Sequence, residues 1–148
     1  MSSHSMNSVL GNTVVGVDDA NDIGQVKHFA VSPRGDRVER LHIDGRGKHA
    51  IFVDWDDLES FGTDRVMVTK SSTAGESDEQ RDGEVARGSV DILGSRVLDT
   101  AGFEHGTVAD VDFDGDSGEI QSIRTSGGDA IDAAKVRSLG SYALVVDP

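Results

Sequence analysis

Apolar residues in this chain fall in short runs rich in Val, Ile and Phe, separated by turns of Gly, Asp and Asn, and no long stripe of 3.6-residue period runs through them. The stretch GTVADVDF alternates, which sets Thr107, Ala109, Val111 and Phe113 on one face of a strand and Asp110 and Asp112 on the other. IQSI and YALVV are the next candidate strands. The pattern predicts an all-β protein.

The pattern is written twice. Leu10-Gly11 matches Leu93-Gly94 at a shift of 83 residues, and Gly24 matches Gly106 at a shift of 82. At that second shift Val26 falls on Val108, Phe29 on Val111, Val31 on Phe113, Val38 on Ile120 and Leu41 on Ile123. LESFGTDRVMV then aligns with VRSLGSYALVV at a shift of 78, pairing Leu58 with Val136, Phe61 with Leu139, Gly62 with Gly140, Val66 with Leu144 and Val68 with Val146. Each unit has the same beginning, middle and end, as expected of an internal duplication. The expected domains are residues 8–72 and 89–148.

Residues 73–88, TAGESDEQRDGEVARG, carry five acids, two bases and only three apolar residues. So little apolar surface cannot offset the entropy of ordering a chain, and the segment is expected to be a mobile acidic linker with some helix near Asp82 and Arg87. The net charge of −13 divides as −3 for residues 9–72, −3 for the linker and −7 for residues 89–148, so the second unit is the acidic one.

About 60 residues holding five or six short strands have few ways to hide their edges, and a small closed barrel is the economical one. WDDLESFG and AAKVRSLG are where a single helical turn fits, with Asp54 and Asp132 as candidate N-caps.

Composition narrows the chemistry. With no cysteine, disulfides, thiolate metal sites and a cysteine nucleophile are excluded. No basic leader and no run of about 18 apolar residues is present, so the expected location is cytoplasmic, with any membrane role exerted through a partner. Acids outnumber bases 27 to 14, a balance that repels phosphate backbones and disfavours nucleic acid as a partner.

LGSRVLDTAGFEHGTVADVDFDGDSGEIQSI resembles the signature of the PRC-barrel family: Leu-Gly, a Val, a turn with Gly, a second Gly followed by Val, an acidic strand, then Gly and an apolar strand. VDWDDLESFGTDRVMV and IDAAKVRSLGSYALVV resemble the family's closing element. The resemblance covers nearly everything outside residues 1–7 and the linker, and it is looser in the first unit, where DDANDIG and SPRGDR depart from the commonest turn chemistry. It implies two small PRC-type β-barrels. The same fold occurs in the cytoplasmic part of the photosynthetic reaction centre H subunit, in the C-terminal part of a ribosome maturation protein, and in many stand-alone bacterial and archaeal proteins. It implies a binding or assembly module with no shared catalytic residues and no cofactor.

The acidic stretch DVDFDGDSGE, residues 110–119, resembles a calcium loop in placing Asp110, Asp112 and Asp114 before Gly115. Its twelfth position is Gln121 where a bidentate glutamate is needed, and its flanks alternate as strands. The equivalent residues of the first unit are His28, Ala30 and Ser32. A hairpin bend through Asp114, Gly115, Asp116, Ser117 and Gly118 is therefore expected, leaving weak surface cation binding as the alternative.

Five histidines, His4, His28, His42, His49 and His105, show no pair at helical metal-ligand spacing, and His4 lies in a terminus expected to be floppy. SPRGDRVERLHIDGRGK holds Arg34, Arg37, Arg40, Arg46 and Lys48, the one basic concentration of the chain. Interleaved with Asp36, Glu39 and Asp44, it is expected to neutralise those acids or dock on the acidic second unit; read as a working surface it would meet an acidic partner or RNA. RGD at residues 34–36 is an integrin tripeptide by letters only. Trp55, the single tryptophan, is expected to cap a barrel core, with Ala133 as its counterpart.

The leading expectation is thus a non-enzymatic protein-interaction scaffold with Arg34, Arg37, Arg40 and Trp55 as its candidate surface. Its partner is an unidentified protein, and open strand edges would allow a homodimer. The alternative is a ribosome- or RNA-associated factor using the basic patch of the first unit.

Overall fold

The computed structural model describes residues 3–45, 50–77 and 79–148. It opens with a short strand, β1 (Ser3–Ser5), and one turn of helix, α1 (Met6–Val9). The first unit contributes β2 (Thr13–Gly16), β3 (Asp22–Val31), β4 (Val38–Asp44), β5 (Ile51–Asp54), β6 (Leu58–Phe61) and β7 (Arg65–Val68). A helix, α2 (Gln80–Ala86), leads to the second: β8 (Arg96–Asp99), β9 (Glu104–Asp114), β10 (Ile120–Thr125), β11 (Ala130–Asp132), β12 (Val136–Leu139) and β13 (Leu144–Val146). The architecture is all-β, as its short Val- and Ile-rich runs require.

The two sheets have the same order, β5-β4-β3-β2-β7-β6 and β11-β10-β9-β8-β13-β12. In both, the first strand of the unit runs parallel to the last, with Val14 opposite Val66 and Val97 opposite Leu144. The registers repeat as well: Phe29 faces Leu41 and Val111 faces Ile123. Even the bulges coincide. Lys27 is skipped between Val26 and His28, and Ala109 between Val108 and Asp110. A bulge adds one residue to one strand and reverses the phase of everything beyond it. Ala109 and Thr107 are accordingly exposed and Val108 is buried, a correction to the simple alternation expected for GTVADVDF.

The expected closed barrels are not seen as closed ladders. Among the described residues each ladder ends at β5 and β6, or β11 and β12, strands that are consecutive in the chain and joined by a 3-10 turn, Trp55–Asp57 or Ala133–Lys135. Neither pair is hydrogen-bonded across its turn among the described residues, so each unit is a curled sheet with a seam. The second turn is capped as expected, Asp132 accepting from the Ala134 N–H at 2.9 Å. The first is not, because the Asp54 carboxylate is drawn to the Arg40 guanidinium at 3.0 Å.

The units are packed on each other around a pseudo-two-fold axis. The tips of the β3–β4 and β9–β10 hairpins meet in an antiparallel bridge between Arg37 and Glu119. Across it the Val38 N–H donates to the Gly118 carbonyl at 2.8 Å and the Ile120 N–H to the Asp36 carbonyl at 2.9 Å. Those four residues are equivalent in pairs at the repeat shift of 82, so one contact is the image of the other, as in an isologous dimer interface. Gly35, at φ 72°, lies against the partner unit so closely that a β-carbon would come within 2.7 Å of Val136. The buried residues form one cluster spanning both units, from Val14, Phe29 and Leu41 to Val111, Phe113, Ile123 and Leu144.

Two segments expected to be loose are part of this body. β1 pairs with the end of β9, placing His4 opposite Phe113, and the His4 ring packs at 5.4 Å from Phe61 and 5.8 Å from Phe113. Met6 and Val9 follow it into the core. The acidic linker is ordered too: Gly75 bridges to Phe52 on the outer edge of β5, and α2 buries Val85 and Asp82. Arg81 donates to the Val31 carbonyl at 3.3 Å and the Leu139 carbonyl at 3.0 Å, one from each unit. The segment is too polar to fold on its own, and these contacts with two preformed surfaces supply what its composition lacks. No helix among the described residues is long and apolar enough to cross a membrane.

Candidate interaction surface

The β3–β4 tip is built by its own residues. Ser32 accepts the Gly35 N–H at its carbonyl and donates its hydroxyl to the Asp36 carboxylate at 2.6 Å, while Gly35 supplies the left-handed position of the turn. The backbone of this tip is occupied by the second unit, but the side chains of Arg34 and Arg37 stay exposed and have no ion pair among the described residues.

Arg40, a candidate alongside them, is paired with acids where Arg34 and Arg37 are not. Its guanidinium meets Asp54 at 3.0 Å, Glu79 at 3.3 Å and Asp82 at 3.3 Å. Burial by itself would lower its pKa, but Asp82, Glu79 and Asp54 outweigh it and hold the group above the usual guanidinium range. Asp82 is 2 % exposed and also accepts the Ser77 hydroxyl, so Arg40 clamps α2 to the first sheet. The expectation that the basic run serves neighbouring acids describes Arg40; Arg46, Lys48 and His49 lie outside the described residues.

Trp55 begins the 3-10 turn and is 9 % exposed. Its ring stacks 5.5 Å from Phe61 and meets Phe113 edge-on at 6.2 Å, so it caps a core that belongs to both units. Trp55 also lines a cleft of about 270 Å³ together with Arg37, Glu39, Arg40, Asp54 and Asp56. Arg37 and Trp55 therefore share a site, Arg34 lies two residues beyond Ser32 at the same tip, and Arg40 forms the cleft wall.

The stretch at residues 110–119 is the bend between β9 and β10. Its carboxylates are engaged: Asp110 by Ser5, Asn7 and Arg124, Asp112 by Ser122 and Arg124, and Asp114 by the Asp116 N–H at 2.8 Å. Among the described residues no group of three or more His, Asp or Glu is arranged to hold a metal ion.

One histidine pair was not visible as a spacing. His28 on β3 and His42 on β4 face each other across the ladder, their rings stacked at 5.2 Å with Nδ1 atoms 2.9 Å apart. Asp91, at the entry to the second unit, lies 3.9 Å from His28 Nε2. Burial, then His28 and Lys27, lower the His42 pKa to about 4, and burial raises that of Asp91. The signal that could have found the pair is the hairpin register, since Phe29 on Leu41 sets His28 on His42. His105 is held by Asp99 at 2.8 Å; that hydrogen bond, then those from the Phe103 and Ala101 N–H groups, keep the Asp99 carboxyl below its usual range.

Two further side chains stand out of the second unit. Phe103 is 67 % exposed before β9 and Tyr142 is 66 % exposed before β13, the latter under the Arg96 guanidinium at 4.2 Å. Nothing in their spacing distinguishes them from core aromatics.

The family model for the PRC-barrel domain matches this chain twice, over residues 1–74 and 84–145. No curated protein matches it.

Proposed function

Because the chain belongs to the PRC-barrel family across both of its units, whose members generally serve as interaction and assembly modules, we propose that it is a non-enzymatic scaffold acting on a protein partner. The observation that carries this reading is the surface at the β3–β4 tip. Arg34 and Arg37 are exposed there, without an ion pair among the described residues, in a chain of net charge −13 and beside a cleft that Trp55 helps to line. Exposed guanidiniums beside an indole-lined cleft match the composition of a protein-binding hot spot, in which Arg and Trp are enriched, and the surrounding charges discriminate between partners. The reciprocal hairpin contact supports the same reading, since it fixes two units in one orientation and turns a duplicated module into a rigid platform.

Arg40 is committed to Asp54, Glu79 and Asp82, so of Arg34, Arg37 and Arg40 only the first two stay exposed for the RNA-associated alternative. Affinity capture of the full chain from its own cell lysate, with nuclease and at low and high salt, tests the proposal. A nuclease-resistant protein set that is lost in the Arg34→Glu/Arg37→Glu variant supports it. Capture that vanishes on nuclease treatment, or that the double variant leaves unchanged, sinks it.

A further inference from the structure

The repeat lets one unit report on the other. On β5, Phe52 faces His42 in the β4–β5 ladder, and its own N–H and C=O turn outward to exchange two hydrogen bonds with Gly75, at 2.7 and 3.0 Å. An extended piece of the linker thus adds a strand to the edge of the first sheet, and Phe52 beneath it is buried. Ala130 on β11 is the equivalent residue and faces Arg124, the equivalent of His42, in the same register. In an antiparallel ladder a residue that does not exchange hydrogen bonds with one neighbour directs both groups to the other side. The N–H and C=O of Ala130 therefore point out of the sheet, and among the described residues no backbone group meets them.

Beside this edge runs a cleft of about 290 Å³, lined by Ile131 and Val146 on its floor and by His105, Asp129, Asp132 and Asp147 at its rim, with Lys135 the one full cation there. It lies against β11, one of the two strands at which the ladder ends. The acidic second unit thus carries a backbone template, an apolar slot and a carboxylate rim in one place.

We infer that the β11 edge is a strand-addition site that takes an extended, lysine- or arginine-bearing segment of a partner protein. The geometry is copied from the chain itself: a small residue opposite Ala130, as Gly75 lies opposite Phe52, with the segment antiparallel to β11. The charge is set by the rim, where Asp147 is paired with Arg137 at 2.9 Å but Asp129 and Asp132 have no ion pair among the described residues and would oppose an acidic strand such as the chain's own linker. Main-chain hydrogen bonds give such a site its affinity, and the flanking pockets give it selectivity. The inference rests on the reading of the chain as an interaction module and names a second surface for it.

The test uses the full chain extended after Pro148 by a flexible Gly/Ser tether of about 12 residues, which holds a short probe at an effective concentration in the millimolar range. The probe is Lys-Thr-Ala-Gly-Lys-Ser-Lys, which follows residues 73–77 with lysine in place of glutamate and a further lysine at each end; a second protein carries glutamate at each lysine of the probe. Amide hydrogen exchange at Ala130, read by NMR, is expected to slow about tenfold or more with the lysine probe, and to return toward the untethered rate in the Asp129→Asn/Asp147→Asn background and at high salt. An unchanged Ala130 rate with the lysine probe overturns the site. Equal protection by the glutamate probe overturns its charge preference. Protection of Ala130 in the untethered protein that grows with its own concentration means a second copy takes the edge, which overturns the assignment to a partner. Lysate capture that depends on Arg34 and Arg37 while Ala130 stays unprotected leaves the scaffold reading standing and removes only this site.

Discussion

The indole of Trp55 lies against Gly118 so closely that a β-carbon on the glycine would come within 3.0 Å of two ring atoms and of the Val38 carbonyl oxygen. Gly118 also sits at φ 81° and accepts the Val38 N–H, so one position joins turn chemistry, ring packing and the bridge between units.

Gly118→Ala is therefore expected to lose on the order of 2–3 kcal/mol of stability, the left-handed conformation and the clash both contributing. Gly102→Ala is the control: φ is 91° there but nothing lies within 4 Å of the added carbon, and about 1 kcal/mol is expected. Urea denaturation of the two variants checks the difference. Equal losses would mean that the Trp55 contact is slack.

Arg40→Met removes the cation that faces buried Asp82 and is expected to cost about 2–4 kcal/mol, because one partner of a buried pair is left charged. Adding Asp82→Asn to it should restore part of the loss. Thermal unfolding followed by circular dichroism reads both, and a second substitution that deepens the loss would contradict the clamp.

His42 gives the protein a pH dependence of known sign. Its folded pKa, about 4, lies below the ordinary histidine value, so between pH 4 and 6.5 the unfolded chain binds a proton that the folded protein refuses. Stability contributed by the neutral ring is complete above that window, falls as pH drops through it, and levels off below about 4. The expected change is about 3 kcal/mol. Chemical denaturation at steps of pH should show this slope in the wild type and a flatter one in His42→Gln; parallel curves would refute it.

Deleting residues 1–5 uncovers the β9 edge from Asp112 to Asp114, together with Phe113, and releases the Asp110 contact with Ser5. A loss of about 2–4 kcal/mol is expected from those hydrogen bonds and the His4 ring packing. Hydrogen exchange at Phe113, whose backbone groups face His4 while the Asp114 N–H is held by the Glu119 carbonyl, should quicken in the truncated protein; unchanged protection would show that β1 adds nothing.

The sequence by itself determined the local and the repeated. Alternation marked the strands, glycines and aspartates marked the turns, and pairs such as Phe29 with Val111 and Leu41 with Ile123 fixed two copies of one unit, later seen in identical strand order and register. It also showed that residues 110–119 bend, since turn chemistry acts within a few residues. Tertiary structure alone decided what depends on which surfaces meet. The bulges at Lys27 and Ala109 reversed the facing of their strands, and the one at Glu39, between Val38 and Arg40, brought His28 onto His42, residues without any regular spacing. Docking on a finished sheet ordered β1 and α2, whose compositions cannot order them alone, and spent Arg40 on Asp82 while leaving Arg34 and Arg37 exposed. Periodicity and turn residues record a chain's energy with its near neighbours, whereas the partner of a charge or an edge is set by folding distant segments together, which no single stretch encodes.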